Sequence, residues 1–328
     1  MDDSFHPWIK HDNKYFFADG LVKFHFEILD FCDFIKLNNE EKEVRQITFK
    51  YIKNIIESNF PEYKCKLYGS FTTESSLPDS DINIFILSEA KMNTQIPKNK
   101  MDDTLKKVYV LLFSTKSFSY LELTRSKVSL IKGTYKDTKI DFDICFFRKN
   151  DIYMIQTIRK VIDLFPEIKI LIMVIKYTLK QRELDKIYKG GINSFIIFCL
   201  VYYYITDIRK RIIYNIKKGI NNNELTLGNL LVGFFDFYGF LFNYKLLGIS
   251  IRNGGFLYKR KDDRKNILSI ENPQDITQDM GKHCFRFRKV IEVFKFARDS
   301  LYYPEKSPVL SYLSGFIFPD DILKMRSY

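Results

Sequence analysis

Four short stretches of the chain carry residue types that can do chemistry on phosphates. Ser80-Asp81-Ile82-Asn83 and Asp141-Phe142-Asp143 alternate polar with apolar residues, so the polar side chains of each stretch leave one face of a strand, roughly 7 Å apart along it. Acidic groups delivered from two strands to one sheet face suit two-metal catalysis, in which carboxylates hold divalent cations that activate the attacking oxygen and stabilise the leaving one. Tyr68-Gly69-Ser70 follows a short strand run and is expected to open a helix, whose first backbone N–H groups can hold phosphate oxygens. Lys176 and Lys180 are four residues apart, so both ammonium groups project from one helix face. Each stretch also has a plainer reading: solvated aspartates on an open sheet, a tight turn at Gly-Ser, a basic helix face in water. Their conjunction favours catalysis.

Holding such groups together requires a sheet braced by helices, and the apolar periodicity supplies both. Phe24, Ile28, Leu29 and Phe31, then Val44, Ile47, Ile52, Ile55 and Ile56, recur at helical spacing and predict two helices over 20–60, the second ended by Pro61. Between Cys65 and Phe147 the period changes to two, most clearly over 81–87 and 139–146, with a basic helical stretch around Asp102 to Phe113. Beyond Arg148, helical spacing returns over 152–164, 168–181, 194–210, 226–241 and 289–301, while Asn221-Asn-Asn and Arg252-Asn-Gly-Gly read as loops. The implied fold class is α+β. A mixed-sheet domain over 45–148 interrupts helices that belong together, 1–44 with 149–328.

Composition narrows the function classes without choosing one. With 328 residues and 46% hydrophobic content the chain can bury a substantial core. A net charge of +12 favours a polyanionic partner, although the lysines and arginines are scattered rather than gathered in a tail. Five cysteines show no zinc-ligand spacing, and His6, His11, His25 and His283 are isolated, which argues for a reduced intracellular protein without a zinc centre. No secretory signal precedes Trp8. The longest apolar run, Phe195 to Ile205, falls short of the roughly 20 residues a bilayer requires, so no membrane association is expected.

Gly69-Ser70, the Asp81 strand and the Asp143 strand resemble the DNA polymerase β-like nucleotidyltransferase superfamily. The similarity to non-canonical poly(A) polymerases of the TRAMP polyadenylation type runs almost end to end. His6-Pro-Trp, His25-Phe-Glu-Ile-Leu-Asp-Phe and Glu40-Glu-Lys-Glu-Val-Arg resemble that family's opening helices, and Leu77-Pro-Asp-Ser-Asp81 its catalytic strand. Lys176-Tyr-Thr-Leu-Lys180-Gln-Arg, Gly190-Gly-Ile-Asn-Ser-Phe195, and Leu227-Gly-Asn-Leu-Leu with Phe234-Phe-Asp-Phe-Tyr-Gly are similar to its central, PAP-associated region. Glu271-Asn272-Pro273 through Asp279-Met-Gly281 resembles its nucleotide-recognition loop.

The resemblance implies a nucleotidyltransferase palm set into a helical domain, and an enzyme adding adenylates from ATP to RNA 3′ ends with Mg2+ or Mn2+. It makes Asp81 a ligand of both ions and Asp143 the ligand and activator on the side of the RNA 3′ hydroxyl. Lys176, Lys180 and Ser194 would meet the triphosphate. Phe195, where the family usually has tyrosine, would stack on the base. Gln278 falls where uridylyltransferases carry histidine, and its amide can both donate and accept at adenine's edge. Position 83 should be aspartate and is Asn83. Three readings stay open there: a weakened enzyme, a degenerate polymerase that binds RNA or scaffolds a complex, and an engineered inactivation. Asp141, on the face of Asp143, is either a compensating charge or a solvated bystander. Thr72-Thr-Glu-Ser-Ser76 also departs from the family's glycine and large apolar residues. By resemblance the protein works in the nucleus in RNA surveillance, with a zinc-knuckle RNA-binding protein and an RNA helicase as partners.

Overall fold

The computed structural model describes residues 6–10, 20–88, 97–124, 129–147, 149–218, 225–260, 267–304, 310–319 and 321. His11 and the Asn221-Asn-Asn loop lie outside them. Along the chain, helices α1 (Gly20–Ile35) and α2 (Asn39–Asn59) precede strands β1 (Tyr63–Tyr68) and β2 (Ile82–Ser88), helix α3 (Lys98–Ser114), and strands β3 (Phe118–Thr124), β4 (Leu130–Tyr135) and β5 (Asp141–Phe146). Then come α4 (Lys149–Leu164), α5 (Pro166–Lys180), α6 (Ser194–Lys217) and α7 (Leu227–Asp236). Ribbon strands β6 (Leu247–Ser250) with β7 (Phe256–Lys259) and β8 (Glu271–Asn272) with β9 (Asp275–Asp279) follow, and α8 (Phe287–Tyr302) comes last.

The chain divides into two compact units, Lys36–Leu164 and Met1–Ile35 with Phe165–Tyr328. The insertion is thus wider than the 45–148 read from periodicity. The reason is visible in α2, whose Ile52 and Ile56 are fully buried in the core of the sheet. That helix starts firmly because Asn38 and Glu41 form a reciprocal capping box, with the Glu41 N–H on Asn38 Oδ1 at 2.7 Å and the Asn38 N–H on Glu41 Oε2 at 2.8 Å.

In the first unit five strands run in the order β1-β2-β5-β4-β3. β2 and β5 are parallel, and the other neighbours are antiparallel. One face is apolar: Ile82, Ile84, Ile86, Phe142 and Ile144 join Leu105, Val108 and Leu112 of α3 in a single core. On the other face Phe85 is covered by the Tyr68 ring stacked at 3.4 Å between centroids and by the edge of Phe147. That leaves the polar ends of β2 and β5 as the open part of the face.

The second unit is built on α1, α5, α6, α7 and α8. α5 is buried on nearly every side between Ile168 and Leu179, and α6 from Ile196 to Thr206. A π-helical turn, Phe237–Leu241, extends α7. The two ribbons, joined by an Ile249–Ile270 bridge, were not foreseen in a half that reads as helical. Their strands are two to five residues long, too short for a period of two to register.

The unit is closed by a buried carboxylate. Glu27 of α1, 1% exposed, accepts from Trp8 Nε1 at 3.1 Å, from the backbone N–H groups of Tyr312 (2.8 Å) and Leu313 (3.2 Å), and from the Ser311 hydroxyl. His25, one residue earlier in α1 than Phe26, is a cap rather than a ligand: its Nδ1 accepts the Leu227 N–H at 3.1 Å where α7 begins. All five cysteines are buried free thiols, and among the described residues no helix is long and apolar enough to cross a membrane.

Candidate active site

The expected residues fall into two sets, one on each unit. In the sheet unit, the register of the parallel pair β2 and β5 sets Asn83 directly beside Asp143. Asp81 is the residue before β2, at its open polar end, and is exposed. Ile82 and Phe142 are partners in the same register, so Asp81 and Asp141 occupy the preceding places on the two strands. The alternation read from sequence therefore holds in space: Asp81, Asn83, Asp141 and Asp143 share the face opposite the Ile82, Phe142 and Ile144 core.

Gly69 follows β1 with φ of +76°, and a Cβ added there would lie 3.4 Å from Asn83 Nδ2. The turn thus lies directly against the amide of Asn83, and its backbone conformation favours glycine. The segment after it is not the expected helix. Gly69–Phe71 make a single 3-10 turn. The Thr72 hydroxyl bonds back to the Gly69 carbonyl at 2.9 Å and that of Thr73 to the Ser70 carbonyl at 3.2 Å. Glu74 then turns left-handed at φ 53°, and the Ser75 N–H returns to the Ser70 carbonyl at 2.9 Å. Hydroxyls that satisfy local carbonyls compete with helix propagation. Ser70 Oγ lies 3.0 Å from the buried Ser76 Oγ, which fixes the serine inside this loop.

Asp143 continues into a polar row across the sheet, with Lys132 beside it on β4 and Glu122 beside Lys132 on β3. Lys132 Nζ stands 4.0 Å from Asp143 Oδ2. Asp141 is turned to the same neighbour strand, taking the Thr134 hydroxyl at 2.5 Å. Among the described residues no group of three or more His, Cys, Asp or Glu side chains is gathered as a metal cluster. Asp141 shares the face of Asp143 and is held toward β4 by the Thr134 hydroxyl. The oxygen donors present, two carboxylates and one amide on a single face, still suit a hard divalent cation, with one formal charge fewer than three carboxylates would bring.

The helical unit carries the other set. Lys176 lies in the buried body of α5 at 8% exposure, and Lys180 closes the same helix half-buried. Ser194 and Phe195 open α6, which packs beside α5 and is capped by Asn193 Oδ1 taking the Ile196 N–H at 3.0 Å. Phe195 heads a ladder of stacked rings, 6.2 Å to Phe198 and 5.7 Å from there to Tyr202. Gln278 sits exposed on β9, and its Nε2 donates to Asp275 Oδ2 at 2.6 Å. The segment after β9 returns to the α5–α6 connection, where the Arg286 N–H meets the Gly190 carbonyl at 2.8 Å.

Two participants escaped the sequence reading. Asp275 orients Gln278 and also takes the Thr277 N–H (3.1 Å) and hydroxyl (2.5 Å). Arg45 is 2% exposed and contacts the turn that delivers Asp81. The signal for Arg45 was its spacing: with Thr48, Ile52 and Ile56 it forms one helical stripe, whereas Ile47, expected in the core, is 46% exposed.

Comparison with known proteins agrees with this architecture. A family model described as the central palm domain of mitochondrial-like poly(A) RNA polymerase matches residues 24–162, and one described as Cid1 family poly A polymerase matches residues 226–278. Poly(A) RNA polymerase CID14 of Cryptococcus neoformans is 30% identical over 276 residues, 80% of this chain and 34% of that protein. The inactive non-canonical poly(A) RNA polymerase protein Trf4-2 of Drosophila melanogaster is 26% identical over 301 residues, 88% of this chain and 70% of that protein. The solved polymerase core of TRAMP, an RNA surveillance complex, superposes with a TM-score of 0.73 at 24% identity, covering 97% of this chain and all of that one. The chain spans 34% of the length of the first curated relative and 50% of a yeast one, poly(A) RNA polymerase protein 2 of Saccharomyces cerevisiae.

Proposed function

The chain belongs to the non-canonical poly(A) RNA polymerases of the nucleotidyltransferase superfamily, and from that premise we propose that it transfers adenylate from ATP to RNA 3′ ends at a centre weakened by Asn83. The observation that carries this reading is the parallel register of Asn83 with Asp143, with Asp81 at the open end of the same face and the Gly69 turn against Asn83. Asp81, Asn83 and Asp143 would hold Mg2+ or Mn2+, which when bound lowers the charge on phosphate oxygens and acidifies the attacking hydroxyl. Asp143 is the base side of the site, with Lys132 Nζ 4.0 Å from its carboxylate.

Lys176 and Lys180 bind the triphosphate. Lys176 has the greater leverage, because a buried ammonium interacts through a lower dielectric than an exposed one. The Phe195 ring supports the base. Asp275, an acceptor only, takes one N–H of Gln278 Nε2, so we assign the carbonyl oxygen of the amide as the atom offered to the base. A carbonyl there matches the amino group of adenine and not the carbonyl of uracil at the corresponding position, which supports ATP as substrate. On the sequence resemblance alone, we extend the proposal to work in the nucleus, in RNA surveillance with a zinc-knuckle protein and a helicase.

A second reading is a catalytically silent RNA-binding or scaffolding subunit. The specific observation behind it is Asn83 itself, a neutral amide in register with Asp143, beside a relative described as inactive. Extension of a labelled oligo(A) primer with each nucleoside triphosphate in turn, in Mg2+ or Mn2+, separates the two. ATP-dependent extension supports the enzyme, RNA binding without extension in either ion supports the scaffold, and preferential UTP incorporation refutes the assignment of Gln278.

A further inference from the structure

Helix α2 presents one stripe to the interior of its unit: Arg45, Thr48, Ile52 and Ile56, at 2%, 0%, 0% and 0% exposure. The two isoleucines enter the sheet core, and the Thr48 hydroxyl meets that of Thr138 at 2.6 Å. Tyr51 stacks on Tyr135 with centroids 4.5 Å apart. These contacts seat the helix on the sheet, and they leave its first turns facing the Leu77-Pro78-Asp79-Ser80 turn. Only there does the stripe become charged. Arg45 Nη1 donates to the Glu41 carbonyl at 2.9 Å, and Nη2 donates to the carbonyls of both Pro78 and Ser80, the latter at 3.2 Å. The same turn is pinned from within by the Ser80 N–H on the Leu77 carbonyl (2.9 Å) and the Leu77 N–H on Ser80 Oγ (3.0 Å).

A buried arginine is an expensive brace. Burial pulls its pKa below the ordinary value against the opposing charges of Glu41, Asp79 and Asp81, and its Nε is buried with no hydrogen-bond partner. An unpaired buried donor is unfavourable, and an apolar side chain in its place would avoid that penalty. What an apolar side chain cannot do is donate from one nitrogen to two carbonyls of the turn while a second nitrogen holds the Glu41 carbonyl of the helix.

We propose that Arg45 is a positioning residue for Asp81: its guanidinium clamps the Pro78 and Ser80 carbonyls on the two residues flanking Asp79 and so fixes the backbone from which the Asp81 carboxylate reaches the cation. This rests on the reading of Asp81, Asn83 and Asp143 as a divalent-cation site. Because Asn83 brings no charge, that site depends more heavily on the placement of Asp81 than one with three carboxylates.

The test compares the full chain with Arg45→Lys, which keeps the charge and loses the second nitrogen that ties the turn to the Glu41 carbonyl, and with Ser80→Ala, which releases the same turn from the other side and leaves the buried arginine in place. Mn2+ affinity is followed by electron paramagnetic resonance, amide exchange over residues 77–82 by mass spectrometry, and primer extension by kcat and KM for ATP. Misplacement of a ligand by about 1 Å can cost up to about 100-fold. Expected are Mn2+ binding weaker by roughly 10- to 100-fold in Arg45→Lys and by less in Ser80→Ala, faster exchange at 77–82 in both, and a fall in kcat with little change in KM. Should Arg45→Lys fail to fold, Ser80→Ala carries the test alone. Parent-like Mn2+ affinity and kcat in a folded Arg45→Lys, or in Ser80→Ala if that alone folds, overturn the positioning role while the site stands. If neither the parent nor Asn83→Asp binds Mn2+, the reading of the site itself falls, and the positioning role with it.

Discussion

Restoring a carboxylate at position 83 should have opposite effects on stability with and without metal. Asn83 and Asp143 are neighbours in parallel register, and the Asp143 side chain is 25% exposed. Two carboxylates about 5 to 6 Å apart repel by about 3 kcal/mol at an effective dielectric of about 20 and by about 0.8 kcal/mol in water. Partial exposure and the Lys132 ammonium, 4.0 Å from Asp143, place Asn83→Asp toward the lower end, a loss on the order of 1 kcal/mol. For a chain of this size that lowers Tm by roughly 1 to 2 °C in chelator. A divalent cation bound by three carboxylates reverses the sign, because it binds only the folded state and stabilises it by mass action. The same change should speed extension by about 10²- to 10³-fold at saturating ATP, the range associated with one preorganised electrostatic group. Asp81→Asn should abolish what activity remains. The assays are calorimetry in chelator and in millimolar Mn2+, and primer extension across a Mg2+ titration. An Asn83→Asp protein that is neither destabilised in chelator nor stabilised by Mn2+, and that extends no faster while still binding ATP and RNA, would refute the cation-site assignment and favour the scaffold.

Other consequences follow from the same geometry. Lys176→Ala and Lys180→Ala should each weaken a non-hydrolysable ATP analogue by about 1.5 to 3 kcal/mol, with the larger loss at the buried Lys176 and smaller effects on RNA binding; unchanged titrations in both would show the pocket to be misassigned. Gln278→His should shift preference toward UTP, and Asp275→Asn should narrow the ATP-over-UTP ratio by freeing the amide at 278 to rotate, which competition between the two nucleotides in one extension reaction would reveal. Burial raises the folded-state pKa of Glu27 above 4.5 despite its four donors. The unfolded chain therefore ionises first, and stability falls as pH rises from about 4.5 until the folded pKa is passed. Glu27→Gln should remove that slope, and parallel Tm-versus-pH curves for parent and variant would contradict it.

Much of the placement of the candidate site residues is legible in the sequence. Alternation at period two is a local property, so placing Asp81 with Asn83, and Asp141 with Asp143, on single faces needed only the sequence, as did the four-residue spacing of Lys176 and Lys180 on α5. The end of α2 before Pro61 and the left-handed turn at Arg252-Asn-Gly-Gly are likewise matters of backbone sterics. Pairing is not local. Which strand lies beside β2, and in what register, depends on the core assembled from Ile84, Ile144 and α3, and that alone made Asn83 the neighbour of Asp143 and set Lys132 beside it. Gly69-Ser70 was misjudged for a related reason, because the threonine hydroxyls that halt the helix act through bonds no residue pattern announces. Tertiary structure also decided which polar groups are buried. Ile47 and Arg45 are two residues apart on one helix, and hydrophobicity assigns the isoleucine to the interior. The α2 stripe is defined by what faces it, and at its first turns that is a pair of backbone carbonyls, which a guanidinium satisfies and an isoleucine cannot.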